Sequence, residues 1–390
     1  MRSNRELIFL LVFFICSCMT TKTDDSIQID ENCSRTINCS SIFNKADFVR
    51  LDTKPECLVS HIAKILVDQD RICCFDPWSE TLFIFNREGH FVFKISKSGR
   101  GPGELISCRD FLIDRFNKQI EILDASGRRV FVYDYDGKLL KTIPAVNSPG
   151  FEKLSDDQYV AYSYNLAINN NDGPVDSDIA LFMPGGKISK VYKRTRNVPS
   201  GSSLLTFTNL FKTLDGSIYL LPVYDYSLLR IDQNGNLLKV ANLSFKRNLP
   251  ANFFKTTDKG SINQELRNGK YPYLFSNLLV DSKYVYFKYE IGKEINQVFW
   301  NQRNHNTISI SKGKWNNDLT LLDVNCFSGV FENGMIQVVE STDLIETYQD
   351  KLKSKTPPQA TNSDIIISME KLASSLKPED NPVLVFYSYK

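Results

Sequence analysis

The run Gly99-Arg-Gly-Pro-Gly-Glu104 is the most distinctive chemical signature in the chain. Glycines at 101 and 103 would let a ligand approach the backbone, and Arg100 and Glu104 could grip its polar groups. The same letters also suit a plain chain reversal in which Arg100 pairs with a neighbouring carboxylate. A phosphate loop is excluded, because Gly-Lys-Ser/Thr is absent and no helix follows. Trp78 and the triplet Tyr224-Asp225-Tyr226 offer flat faces on which a sugar or peptide could stack if they are exposed. Aromatics make up 12% of the chain, however, so packing competes for them. Asn169-Asn-Asn-Asp172, with Asp176 and Asp178, presents oxygen atoms suited to calcium, but the EF-hand spacing and its bidentate glutamate are missing, which favours a solvated polar loop. The three histidines, His61, His90 and His305, have no catalytic neighbour in sequence. Neither Gly-x-Ser-x-Gly, His-Glu-x-x-His nor Cys-x-x-Cys occurs. No motif specifies a metal or another cofactor, and no catalytic constellation is evident.

What must position these residues is a repeat. Phe85-Asn-Arg-Glu-Gly89, Tyr133-Asp-Tyr-Asp-Gly137, Phe182-Met-Pro-Gly-Gly186 and Ile231-Asp-Gln-Asn-Gly235 place their last glycines 48 or 49 residues apart. Each unit is an apolar strand, a tight turn needing positive φ, then an alternating strand. A second hairpin precedes each, as in Ile65 to Phe75 and Phe111 to Leu123, and further copies begin at Leu278 and Val330. Six copies of about four short antiparallel strands predict an all-β fold, a six-bladed β-propeller. The sixth copy has only two strands in register. The segment Pro382 to Tyr389 can supply its third strand and Phe48 to Leu51 its outermost, so that the chain ends close the ring. Helical insertions are expected at about 250–268 and 342–377. The second carries Ile366, Ile367, Met369, Leu372 and Leu376 at amphipathic spacing, as in a helix covering one face.

Residues 1–17 read as an export signal, with Arg2 and Arg5 before an unbroken apolar run from Leu7 to Ile15. That run is too short to span a bilayer. Ile15-Cys-Ser-Cys18 resembles a bacterial lipobox, which implies cleavage before Cys18 and diacylglycerol on its sulfur; an ordinary signal cut nearby is the alternative. Acyl chains would then hold the protein in the cell envelope without a transmembrane helix. The expected division is a signal peptide over 1–17, a lipidated tether over 18–40 and the propeller over 41–390. Lys plus Arg number 47 against 45 Asp plus Glu, a net charge of +2 that gives no field to recruit nucleic acid. Of nine cysteines, Cys16 leaves with the signal and Cys18 takes lipid, and the odd remainder leaves at least one thiol free. Cys33 and Cys39 are near enough in sequence to close a small loop. Cys73 and Cys74 fall on a strand, so they should point to opposite faces and pack as small hydrophobes.

The passage from Gly99 to Ile143 resembles an NHL-type propeller repeat. Together with the lipobox and the ending Asn381-Pro-Val-Leu-Val-Phe-Tyr387, it makes the chain similar to the six-bladed β-propeller lipoproteins of gut Bacteroides, over roughly residues 40–390. The resemblance implies an anchored, extracytoplasmic propeller but no common activity. In a propeller, the blade-joining loops and the loops between second and third strands share one face. That places Arg100 to Glu104 beside Trp78, Arg128, Tyr224 to Tyr226 and the loop from Asn165 to Ser177. The function expected is a ligand- or protein-binding module, with a glycan, a peptide or an envelope protein as partner. The alternative, implied by related NHL-like propellers, is a metal-assisted lyase or lactonase working at the central channel, where only His61 among the histidines is well placed.

Overall fold

The repeated hairpin closes in the same way along the chain. One side-chain oxygen of Asn86, Asp134 and Asp232 accepts two backbone N–H bonds, from Glu88 and His90, Asp136 and Lys138, and Asn234 and Asn236 respectively. Three residues later Gly89, Gly137 and Gly235 take φ values of +88°, +86° and +70°. A register shift follows in each strand pair, the mark of a turn closed by a bulge. Met183 lacks the side-chain acceptor, but Gly186 at φ +76° keeps the same turn.

The computed structural model describes residues 26–390 apart from 34, 97–98, 100, 102–103, 194–197, 199–207, 251, 259, 270, 312–314 and 354–362. Among these residues, six four-stranded antiparallel sheets form the blades of a β-propeller. Blade 1 comprises Lys64–Val67, Ile72–Asp76, Thr81–Phe85 and Phe91–Ser96; blade 2 comprises Asp110–Asp114, Gln119–Asp124, Arg129–Asp134 and Leu139–Pro144. Blade 3 is built from Gly150–Ser155, Gln158–Tyr162, Ile179–Phe182 and Ile188–Val191, and blade 4 from Leu210–Lys212, Ile218–Leu220, Ser227–Ile231 and Leu237–Ser244. Blade 5 is Tyr273–Val280, Tyr284–Ile291, Glu294–Asn301 and Thr307–Ser311. Blade 6 joins Gly329–Phe331, Gly334–Val339 and Val383–Tyr389 to Phe43–Arg50, whose pairing with Val383–Tyr389 closes the ring as the sequence predicts. No helix among the described residues is long and apolar enough to cross a membrane.

The core is a series of apolar layers between blades rather than one centre. Cys73, Phe75, Leu82 and Ile84 pack on Phe111, Ile120 and Phe131 between blades 1 and 2. Cys74, on the opposite face of the same strand, packs with Ile336 and Leu384 between blades 1 and 6. Four short helices interrupt the repeat: α1 (Phe253–Thr256) and α2 (Ile262–Arg267) between blades 4 and 5, and α3 (Ser341–Lys353) and α4 (Ser363–Ser375) within blade 6. Met369 and Ala373 of α4, and Leu376 just after it, enter the layer of blades 5 and 6. Ile367 does not: it is 61% exposed, so the buried stripe is narrower than the sequence spacing implies.

The tether expected through residue 40 ends sooner. Ser26–Gln28 pairs in parallel with Asn242 to Ser244 at the outer edge of blade 4. Asp30 and Glu31 then bond to Ser309 and Ser311 of blade 5, and Ile37–Asn38 pairs with Trp315–Asn316. The cause is apolar: Ile27 and Ile29 are buried, which fixes a strap across the rims of blades 4 and 5 before the chain enters blade 6.

Candidate functional site

The innermost strands ring a narrow axis. Leu66, Val67, Ile113, Leu210, Phe211 and Val330 line it together with Lys64, Arg115, Glu152 and Lys212, around a cavity of about 30 Å³. Its charges are used internally. Lys64 Nζ lies 2.7 Å from Asp110 Oδ1 and donates to the Phe111 carbonyl at 2.8 Å, tying blade 1 to blade 2. Asp110 also accepts from Phe151 N at 3.0 Å, which reaches blade 3. Glu152 accepts from Lys153 N, and burial pushes its carboxyl above the ordinary range while Lys64 and Lys212 pull it back. A second buried set, Lys153 with Asp114 at 2.6 Å and Glu121 at 3.0 Å, and Tyr159 donating to Glu121, cements blades 2 and 3. Among the described residues no group of three His, Cys, Asp or Glu side chains could hold a metal ion.

The face carrying the blade-joining loops is different. Trp78, in the loop between the second and third strands of blade 1, is 76% exposed. Its ring stacks on His61, with centroids 5.5 Å apart and planes 27° from parallel. Asp76 holds both: fully buried at the end of the second strand, it accepts from Trp78 N at 2.9 Å on one oxygen and from Ser60 N at 2.9 Å on the other. The two loops that carry the platform are therefore fixed by one carboxylate. Asp124 does the equivalent work in blade 2, gathering Ile106 N, Ser107 N, Gly127 N and Arg129.

Residues 25–388 match a family model described as a domain of unknown function, DUF4934. The chain belongs to that family. A protein of Bacteroides fragilis described as exported is similar in structure, at 19% identity and a TM-score of 0.75, over 93% of this chain and 99% of that one. A DUF4221-family member from Bacteroides vulgatus superposes with a TM-score of 0.52 at 12% identity, over 89% and 98%. At these identities the likeness shows the fold. No curated protein matches the chain.

The sequence-selected residues fare unevenly against this frame. Trp78 is exposed as a platform requires. Tyr224 and Tyr226 are not: at 2% and 6% exposure they are packing residues, Tyr224 against Phe254 of α1 and Tyr226 bonded through its hydroxyl to Pro272 and Leu249. Asp225 between them is buried and accepts from Ser227 Oγ. Arg128 is exposed, but its guanidinium holds Asn170 O and Asn171 Oδ1 of the polar loop in blade 3. Glu104 folds back onto its own loop, accepting from Gly101 N at 2.7 Å, as in a chain reversal. Arg100 and Gly103 lie outside the described residues, as do residues 1–17 and Cys18. His61 sits on the exposed loop face rather than in the channel, and His305 lies in a hairpin turn against Trp300. Asp76 escaped notice, although its signal was present: an aspartate closes the second strand of blades 1 and 2 at the same phase, 48 residues apart.

Proposed function

We propose that the protein is a binding propeller, anchored in the cell envelope through Cys18 and facing away from the cytoplasm, that holds a glycan, a peptide or an envelope protein on its loop face. One observation carries this reading. A large aromatic is exposed on a loop whose backbone a buried carboxylate fixes, its ring stacked on His61, while the axis holds only a small cavity. Aromatic platforms of this kind stack on sugar rings and on peptide side chains at low entropic cost. Helices α1 and α2 cover Tyr224 on the same face and α3 and α4 pack over blade 6, which leaves the platform on blade 1 open. A lyase or lactonase centred on the channel would need the axis to widen well beyond its 30 Å³.

The test is a thermal-shift and array screen of the purified protein against glycans and peptides, followed by Trp78→Ala. Because Trp78 is exposed, its loss should leave stability within about 0.5 kcal/mol and yet reduce affinity for any ligand found at least tenfold. An unchanged affinity in a folded Trp78→Ala variant would remove the platform from the site.

A further inference from the structure

No aspartate or glutamate occurs between Asp178 and Asp215, whereas Lys187, Lys190, Lys193, Arg194, Arg196 and Lys212 fall in that stretch. Of these, Lys187, Lys190 and Lys193 stand exposed along and beside the outermost strand of blade 3. Val191 there and Leu238 on blade 4 are 47% and 40% exposed. Lys190 reaches across to the carbonyl of Gly235 in the outer turn of blade 4. Four residues on, exposed Lys239 donates to Asn242 at 3.1 Å, and Asn242 is the register partner of Ser26. A basic, partly apolar rim thus runs from blade 3 to the point where the N-terminal strap joins the fold. Among the described residues, Asp232 is engaged within its own turn and Glu31 with Lys246 N.

Cys18 is eight residues from Ser26, a reach of at most about 29 Å even when fully extended. If Cys18 carries lipid, which is the anchor reading given above, this edge of the molecule lies within that reach of the bilayer. We propose that the rim formed by Lys187, Lys190, Lys193 and Lys239 docks on the anionic headgroups of the bilayer that anchors the chain. Lysines held near such a surface are attracted over about one Debye length, and the exposed valine and leucine can enter the headgroup layer. The propeller would then stand on its edge, with the Trp78 face directed along the membrane rather than into it.

The test uses residues 19–390, since removing residues 1–18 takes away no described contact. Binding is read by sedimentation with vesicles of phosphatidylcholine alone and with roughly one third phosphatidylglycerol, at low and high salt. Binding only to the anionic vesicles, weakened by salt, is expected. Lys187→Glu, Lys193→Glu and Lys239→Glu together, in a variant whose melting is unchanged, should lower it at least about a hundredfold, at roughly fivefold per lysine lost. Equal binding to neutral vesicles, no binding to either, or an unaffected triple variant would overturn the proposal. Intact mass of chain extracted from the envelope reads acylation of Cys18 separately. A chain without acyl mass that still bound anionic vesicles would sink the anchor and leave the rim standing.

Discussion

Replacing Lys64 with methionine keeps the aliphatic stem and removes the ammonium that joins blades 1 and 2. Lys64 and Asp110 are 5% and 7% exposed, so Asp110 would be left buried with only the N–H groups of Phe111 and Phe151. Breaking a buried pair from one side costs about 3–5 kcal/mol. An unfolding entropy of about 2.1 cal/mol/K per residue, over roughly 365 folded residues, converts this to a fall of about 4–7 °C in Tm. Lys64→Met with Asp110→Asn removes both charges and should recover at least half of that loss. The assay is circular dichroism melting at several scan rates, to separate equilibrium from kinetic loss. A single variant within about 1 °C of the parent, or a double variant melting below the single one, would refute the claim that this pair joins blades 1 and 2 at the axis.

Three other expectations follow from the same geometry. Burial raises the Glu152 carboxyl, with Lys64 and Lys212 opposing. A raised acid contributes stability that is complete below its unfolded value and is lost as pH climbs through the folded one, so Glu152→Gln should match the parent at about pH 4 and melt higher at about pH 8. A Tm difference that does not move with pH would contradict it. Gly89→Ala would set a Cβ 2.1 Å from the Arg50 carbonyl at φ +88°, whereas Gly173 at φ +120° has nothing within 4 Å. Gly89→Ala should therefore cost about 1–3 kcal/mol more than Gly173→Ala in urea unfolding, because only it adds a clash at the closing seam. Ile27→Ser, in the strap, should cost about 2–4 kcal/mol by the same measurement, and a loss below about 0.5 kcal/mol would mean the strap is not part of the cooperative fold.

The ring was legible in the sequence because it rests on local rules that recur. A glycine at each outer turn and alternation on each strand specify a blade, and a fixed period specifies how many. Even the closure could be seen, since a blade with two strands missing must borrow them. What sequence could not give was exposure. Tyr224 and Tyr226 have the same chemistry as Trp78, and only the arrival of Phe254 of α1 over the first and of Phe245 and Phe275 against the second makes them core. Glu104 was equally ambiguous until its carboxylate turned back to Gly101 N. The strap was hidden for another reason: Ser26 to Gln28 is too short and too polar to announce itself as a strand, and its partner lies more than two hundred residues away.

The borrowed strand in blade 6 also fixes when this protein can finish folding. Arg50 meets Asp380, and the two are 330 residues apart. The strap at Ser26 must likewise wait for blades 4 and 5. A chain synthesised from its N-terminus therefore delivers first the segments it needs last, and blade 1 waits for the end of the chain without the neighbour that covers Cys74 and Phe83. Such long-range pairing slows folding and prolongs the exposure of unpaired edges. Folding of this protein is thus coupled to the completion of its chain, and a chain truncated before Val383 would carry five blades and two raw edges, surfaces open to aggregation and proteolysis.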